Sequence, residues 1–327
     1  MKENLFVLDA HFDLLSDVAV KRMNGEKHVI EREYLPDLRA GGVTALVASL
    51  YVDDIYLPEM GLKMALSQIA SLHREAEESQ SIMVCTSAGD FRKAGSEGKL
   101  GIMLSFEGVE PVFSIDSLLL FHKLGVRGVG LCWSRPNKAA DGIDYRGSRK
   151  KGGLTAYGEA LVDEAVRLGM FLDVSHLSNE GVEALMNYTS APFIASHSNA
   201  RALVPVNRNL PDEYLDEIAR RGGVVGLNAC SSFVAAENAD MDHLADQLEY
   251  LLSRLGEDHV GLGFDLCDVF YRQGAFSGKR KNYDVLQSHA EVPDFLAVLE
   301  RRGFPEDVIE KVAGKNWLSF YDRYGVK

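Results

Sequence analysis

Short apolar runs rich in valine, isoleucine and leucine recur along the chain, and segments with helical periodicity separate them. Several runs are apolar almost without interruption, which is typical of parallel strands that helices cover on both faces. This pattern predicts eight strands. They span residues 5–11, 43–51, 100–106, 128–133, 170–175, 193–196, 224–228 and 260–264.

The segments between these runs carry the stripes of amphipathic helices. Apolar residues recur at spacings of three and four over residues 154–168, and Gly169 is expected to end this helix. Pro211 is typical of a helix start, and a leucine stripe over 244–255 predicts a further helix. We interpret these stripes as helix faces that pack on the sheet.

Eight strands in alternation with helices, without a linker, repeat or low-complexity tract, predict an α/β fold of the (β/α)8 TIM-barrel type. Residues 1–327 are predicted to form one such domain. Helical segments at 293–302 and 306–321 follow the last strand and are expected to cap the barrel. The polar segment 271–283 is predicted to be a loop near the barrel mouth.

Six side chains of metal-binding type lie at or just beyond the ends of predicted strands. The first two are His11 and Asp13, and because residues i and i+2 of a strand point to the same side, both can bind one ion. The other four end later runs: Glu107, His176, His197 and Asp265. A TIM barrel builds its active site at the carboxyl ends of its strands, so these positions agree with the predicted fold.

The residue types favour a two-metal hydrolase. His11 and Asp13 can hold one divalent ion, His176 and His197 a second, and Glu107 can bridge them. Imidazole and carboxylate ligands without cysteine favour two Zn²⁺ ions, with Mn²⁺, Co²⁺ or Fe²⁺ as alternatives. Water between two such ions loses a proton near neutral pH, which gives a metal-bridging hydroxide as the nucleophile.

Asp265 is predicted to orient this hydroxide as a further ligand, accept its proton and pass the proton to the leaving amine. A single His-x-Asp triplet is weak evidence, and a lone buried histidine is more often a core residue than a ligand. The prediction therefore depends on the whole ordered set. The remaining histidines are predicted to lie on the surface: His28, His73, His122, His243, His259 and His289.

Composition limits the partners of the protein. Its 48 acidic and 35 basic residues give a net charge of −13, which argues against nucleic-acid binding. The four cysteines show no CxxC spacing and are predicted to be free thiols rather than a disulfide framework. The first residues lack a long apolar stretch, so we expect no signal peptide, no membrane partner and a cytoplasmic location.

The ordered motifs resemble the membrane (renal) dipeptidase family of zinc metallopeptidases, within the amidohydrolase-like barrels. The matching segments are DAHFD, SFEG, DVSH, SHSNAR followed by NRNLPDE, and GLGFD, and they span nearly the whole chain. The segment around Asn316 is similar to the closing helix of the family. The resemblance implies a binuclear zinc dipeptidase that acts on small dipeptide substrates, and a possible homodimer.

The resemblance also implies individual roles. His11, Asp13 and Glu107 would bind one zinc ion, and Glu107 with His176 and His197 would bind the other. Asp265 would be the catalytic acid and base.

Arg208, in NRNLPDE, would hold the free carboxylate of the substrate. A guanidinium is well suited to this role because it binds a carboxylate through two parallel hydrogen bonds. Arg201 is the weaker candidate for the same role.

The chain departs from the family pattern at two places. Cys132 and Trp133 replace a Thr-His pair, and an indole offers a donor and a stacking face but no cation. Trp133 and Asn137 are therefore predicted substrate-binding residues, and Arg135 is an alternative to Asn137. The loop after Asp265 also differs. A hydrolase of another small amide or lactone, or a non-catalytic metal-binding relative, remains an alternative.

Overall fold

The computed structural model describes residues 5–144, 152–272 and 282–324, so most of the predicted loop 271–283 lies outside the described residues. Parallel strands form one sheet in the order β7-β6-β5-β4-β2-β1-β9-β8. The strands are β1 (Val7–Phe12), β2 (Val43–Leu50), β3 (Ile82–Val84), β4 (Leu100–Glu107), β5 (Val126–Gly130), β6 (Phe171–Asp173), β7 (Phe193–Ile194), β8 (Val225–Leu227) and β9 (Val260–Leu262).

The sheet curves into a nearly closed barrel. A parallel bridge between Ala195 and Val225 joins the ends of the sheet at β7 and β8. The short strand β3 lies off this circle and pairs with the first half of β4, where Ile82 faces Leu100. The predicted TIM-type barrel is confirmed, and each of the eight predicted strands overlaps one strand of the circle.

Helices connect the strands and cover the outside of the barrel. Gly169 ends one of them in the left-handed conformation, with φ of 71°, as predicted. Pro211 immediately precedes another, also as predicted. The described helices are α1 (Leu14–Met23), α2 (Leu35–Ala40), α3 (Gly61–Glu78), α4 (Ala88–Ser96), α5 (Ile115–Lys123), α6 (Ala156–Leu168), α7 (Asn179–Tyr188), α8 (Asp212–Arg220), α9 (Ser231–Val234), α10 (Met241–Leu255), α11 (Asp268–Arg272), α12 (Val292–Arg301), α13 (Glu306–Glu310) and α14 (Asn316–Arg323).

The last helices close the end of the barrel opposite the strand carboxyl termini. The Asn316 amide donates to the carbonyls of Glu257 and Val260, both at 2.7 Å, at the start of β9. Trp317 is fully buried and belongs to a core cluster with inward residues of several strands, among them Leu8 and Phe171. The predicted helix 306–321 is thus a cap, but a π-helical turn, Lys311–Lys315, divides it.

Candidate active site

The six predicted metal-type residues meet at the carboxyl end of the barrel. His11 lies in β1, Glu107 is the last residue of β4, and the other four follow strand ends. Ligand atoms of His11, Glu107 and His197 lie within 4.8 Å of one another, and so do those of His11, Asp13 and Asp265. The fold therefore gathers side chains that are far apart in sequence into one cluster.

Glu107 lies between two groups of imidazoles. Its Oε2 is 3.5 Å from Nε2 of His11. Its Oε1 is 3.0 Å from Nε2 of His176 and 3.7 Å from Nε2 of His197. The two oxygens of one carboxylate thus face different histidines, which is the arrangement that a bridging ligand requires.

Serine hydroxyls orient two of these imidazoles. Nδ1 of His176 lies 2.8 Å from Oγ of Ser134, and Nδ1 of His197 lies 2.7 Å from Oγ of Ser196. The two Nε2 atoms face each other at 2.9 Å, on the Glu107 side. A hydrogen bond at one ring nitrogen fixes the orientation of the ring and leaves the other nitrogen for a cation.

Burial and mutual repulsion disturb the ionisation of the acidic groups. Burial, reinforced by the negative charge of Asp13, raises the pKa of Glu107 to about 8. Burial also raises the pKa of Asp265, although His11 opposes this shift. The pKa of Asp13 is lowered despite its burial, because His11 lies beside it.

The pKa values of the three histidines shift in different directions. Burial by itself lowers the pKa of His11, but the carboxylates of Glu107 and Asp13 raise it well above the usual value. Burial, with the positive charges of Arg208 and His11, holds the pKa values of His176 and His197 well below the usual range. The last two imidazoles are therefore neutral and ready to bind a cation.

Two buried atoms at the centre of this cluster lack a hydrogen-bond partner within the described residues. They are Nε2 of His11 and Oε2 of Glu107, which face each other. A buried polar atom without a partner is costly, and a divalent cation would satisfy both atoms. Imidazole nitrogens and carboxylate oxygens are also the donors that zinc prefers in the absence of cysteine. The residues therefore fit a metal centre.

The backbone is strained at two residues of the cluster. His176 and Asp265 have φ values of 69° and 58°, in the left-handed region that non-glycine residues rarely adopt. Gly108, which follows Glu107, has a φ of 99°. A Cβ at this position would collide with the Glu110 side chain and lie 3.2 Å from the backbone nitrogen of Trp133. The glycine of the SFEG motif thus permits the tight turn that follows β4.

A cavity of about 560 Å³ opens over the cluster. Its floor includes Asp13, Glu107, His176 and Asp265. Its other described lining residues are Tyr51, Asp53, Trp133, Ser134, Ile143, Asp144, Asn207, Arg208, Cys230, Phe233, Cys267, Tyr271 and Asn282. The volume suits a small-molecule ligand.

Arg208 provides a buried positive charge in the cavity wall. Its Nη1 donates to Oγ of Ser198 and its Nη2 to the carbonyl of His197, both at 2.8 Å. Its guanidinium carbon lies 5.8 Å from the centre of the Phe233 ring. The Nε atom is buried and has no hydrogen-bond partner in the described part of the chain.

Residues 1–322 match the family model described as membrane dipeptidase, peptidase family M19. The chain belongs to this family. It is a metal-dependent dipeptidase, and the family resemblance predicted from the ordered motifs is confirmed.

Individual M19 relatives and solved structures agree with this assignment. The dipeptidase aclJ of Aspergillus oryzae is 32% identical over 296 residues, which cover 86% of this chain and 68% of the relative. A metallopeptidase from Rhodobacter sphaeroides, solved with a phosphinate mimic of L-Ala-D-Ala, has a TM-score of 0.87 and 27% identity, with 98% of this chain and all of that chain covered. The dipeptidase AC of family M19 gives a TM-score of 0.86 at 28% identity, with 99% and 100% covered.

Despite the name of the M19 family, none of the helices in the described ranges has the length and apolar character needed to cross a bilayer. No disulfide joins the four cysteines, and Cys85, Cys132 and Cys230 are buried, as predicted for thiols in apolar runs.

Trp133 lies on a loop of this M19 dipeptidase and not on a strand. The strand predicted over 128–133 begins earlier, at Val126, and ends at Gly130. The Trp133 ring stacks on the His176 ring and is tilted against the Tyr51 ring, and its centre lies 5.5 Å from the centre of each. It therefore forms an aromatic wall next to a predicted metal ligand.

Asn137 and Arg135 are not among the described residues that line the cavity. Asn137 donates to the carbonyl of Leu131 and accepts hydrogen bonds from the amides of Ala139 and Ala140, so its side chain holds its own loop together. Arg135 lies over the Trp133 ring at 5.3 Å and pairs with Asp54 at 2.9 Å. Arg135 therefore packs against Trp133, and Asn137 stabilises the loop that follows it.

Sequence reasoning missed several residues of the site. Tyr51 and Phe233 line the cavity but belong to segments without a metal-type motif. His289 was predicted on the surface, and this was wrong: it is 3% exposed and lies 2.8 Å from Oδ2 of Asp9. The signal that could have revealed this contact is Asp9 itself, an acid inside the apolar run of β1.

Proposed function

We propose that this M19 dipeptidase binds two divalent ions, preferably Zn²⁺, with Glu107 as the shared ligand. His11 and Asp13 would complete one position, and His176 and His197 the other. The observation that carries this proposal is that the two oxygens of Glu107 face different histidines. When bound, the ions would polarise the scissile carbonyl and lower the pKa of the attacking water.

Asp265 is the proton carrier in this proposal. Its Oδ2 accepts a hydrogen bond from the Asn228 amide at 3.1 Å, and its Oδ1 lies 4.0 Å from Nε2 of His11. Burial raises its pKa, which brings the carboxylate closer to the range where a general base works best. Asp265 would take the proton of the attacking water and deliver it to the leaving amine.

Arg208 and Trp133 would position the dipeptide. The partnerless Nε of Arg208 can pair with the free carboxylate of the substrate, which would then share the guanidinium with Ser198 and His197. Trp133 would form the wall on the His176 side of the cavity. A role of Asn137 in substrate contact stays a prediction.

The experiment is an assay of Asp265→Asn and the wild-type protein against a dipeptide panel, with bound zinc measured for each. We expect two ions per wild-type chain and a loss of kcat on the order of 10²–10⁴-fold in the variant. Asp90→Asn is the control, because Asp90 contacts Thr86 at the start of α4, away from the cluster. A metal-loaded wild type that cleaves no dipeptide would overturn the proposed activity, and fewer than two tight ions would overturn the two-ion site.

We further propose that the enzyme works in the cytoplasm as a homodimer. The four cysteines form no disulfide, which supports the location because reducing compartments keep cysteines in the thiol form. Cell fractionation tests the location, and light scattering of the purified protein tests the dimer.

A further inference from the structure

Asp9, in β1, is completely buried beneath His11. Its Oδ1 accepts two backbone hydrogen bonds, from the amide of His11 at 3.2 Å and from the amide of Phe264 at 2.9 Å. Its Oδ2 accepts a hydrogen bond from Nε2 of His289 at 2.8 Å. One carboxylate thus joins β1, the segment after β9 and the segment that carries His289.

Asp173, at the end of β6, has the same construction. Its Oδ1 accepts hydrogen bonds from the amides of Ser175 and Ser196, both at 3.0 Å. Its Oδ2 accepts a hydrogen bond from Oγ of Ser196, and this hydroxyl also contacts Nδ1 of His197. Asp173 therefore joins β6 to the segment after β7.

Each aspartate occupies the last position at which its strand pairs with the neighbouring strand on one side. Asp9 pairs with Leu262 of β9, and Asp173 pairs with Ile194 of β7. Beyond these positions β1 no longer pairs with β9, and β6 no longer pairs with β7, so the carboxylate provides the next connection between the two strands. The amides that it binds on the neighbouring segment belong to the residues just before Asp265 and His197.

We propose that Asp9 and Asp173 are positioning residues, each of which sets the geometry of one of the two metal positions. Asp9 would hold His11 and Asp265 in register, and Asp173 would hold His176 and His197. This inference rests on the proposed two-ion site. Hydrogen bonds to an ionised acceptor are about twice as strong as neutral ones, and loss of a group that orients a ligand costs about 10–100-fold in metal affinity.

The test is a zinc titration against a competing chelator at fixed pH, in which the two ions are followed as separate steps. We expect Asp9→Ala to weaken one step by about 10–100-fold and Asp173→Ala to weaken the other. The conservative changes Asp9→Asn and Asp173→Asn keep an oxygen for the backbone amides and are expected to restore part of the affinity. His289→Gln removes the support of Asp9 alone and should affect the same step as Asp9→Ala, even if the latter folds poorly.

A double-variant cycle identifies the steps. His11→Ala combined with His289→Gln should cost little more than His11→Ala alone, whereas His11→Ala with Asp173→Asn should show nearly additive losses. Glu75→Gln is the matched control, because Glu75 is a fully buried carboxylate that binds the amide of Ile30 and has no metal-type partner among its described contacts.

The outcomes separate this inference from the proposed function. The inference is overturned if the wild type binds two ions tightly but the aspartate variants weaken neither step or weaken both equally. The two-ion site would still stand in that case. A wild type with fewer than two tight ions overturns both.

Discussion

Single residues give the cavity two chemically different walls above a floor of metal-type ligands. Arg208 places a buried guanidinium in one wall, next to Phe233, and Trp133 stacks beside His176 in another. In the proposed function, a small substrate with one free carboxylate and one amide would contact both walls and the floor.

The role of Arg208 can be tested by exchange for lysine. Arg208→Lys keeps the charge but loses the planar fork, so we expect KM for dipeptides to rise about 10–100-fold with a smaller change in kcat. Dipeptides with an amidated C-terminus should not distinguish the variant from the wild type. Steady-state kinetics with matched free and amidated substrates measure the effect.

Arg201→Lys is the control for this exchange, because Arg201 binds the carbonyls of Asn207 and Asn209 and does not line the cavity among the described residues. An unchanged KM in Arg208→Lys would contradict the carboxylate contact and would favour the hydrolysis of another small amide or a lactone.

The cluster of metal-type residues could be predicted from the sequence because its members share residue types and a position at strand ends. Asp9, Asp173 and His289 could not be found in the same way. The first two are acids inside apolar runs, which signals a buried contact, but most of their partners are backbone amides, which the sequence does not identify. His289 reaches Asp9 from 280 residues away, and local periodicity carries no information about such a contact.

At the scale of elements, apolar runs predicted the strands of the barrel but not all of their ends. Leu131 and Cys132 are buried although they have left β5, so continuous apolar character did not reveal that the strand ends at Gly130. The strand β3 spans three residues and is partly exposed, which is too short for a period to appear. The π-helical turn Lys311–Lys315 keeps a helical pattern of burial and was therefore hidden.

The cap formed by α14 makes a prediction about stability. Trp317 is fully buried, and its indole nitrogen donates to the carbonyl of Leu262 at 2.9 Å. Trp317→Ala should lower the free energy of unfolding by about 3–5 kcal/mol, because it leaves a large cavity at the closed end of the barrel. Trp317→Phe keeps most of the packing and should cost about 1–3 kcal/mol through the lost hydrogen bond. Urea unfolding measures both, and equal losses would contradict the packing argument.

For the whole molecule, the metal centre should make the protein sensitive to pH. In the metal-free protein the pKa of His11 is raised well above its usual value and that of Glu107 is raised to about 8, so this pair retains bound protons at neutral pH. A cation must displace these protons. Its affinity should therefore rise as the pH increases towards about 8 and level off as the protons are lost.

Calorimetry in buffers of different ionisation enthalpy measures this effect, because it reports the protons released on zinc binding. The number released should fall as the pH rises above about 8, where Glu107 is already ionised. Glu107→Gln removes one titrating group and should flatten the curve. The measurement covers about one pH unit on either side of neutrality, from about pH 6 to about pH 8. A zinc affinity that does not change over this range would contradict the raised pKa values of His11 and Glu107.

The pairing of the first strand, β1, with the last, β9, also orders events during synthesis of the chain. Asp9 and Phe264, which one hydrogen bond joins, are 255 residues apart. At roughly 5–20 residues per second, a ribosome makes the second partner on the order of 10–50 s after the first. Throughout that interval β1 has an open edge on its β9 side, and His11 has no Asp265 beside it. The complete cluster of six metal-type residues therefore forms only after β9 has been made.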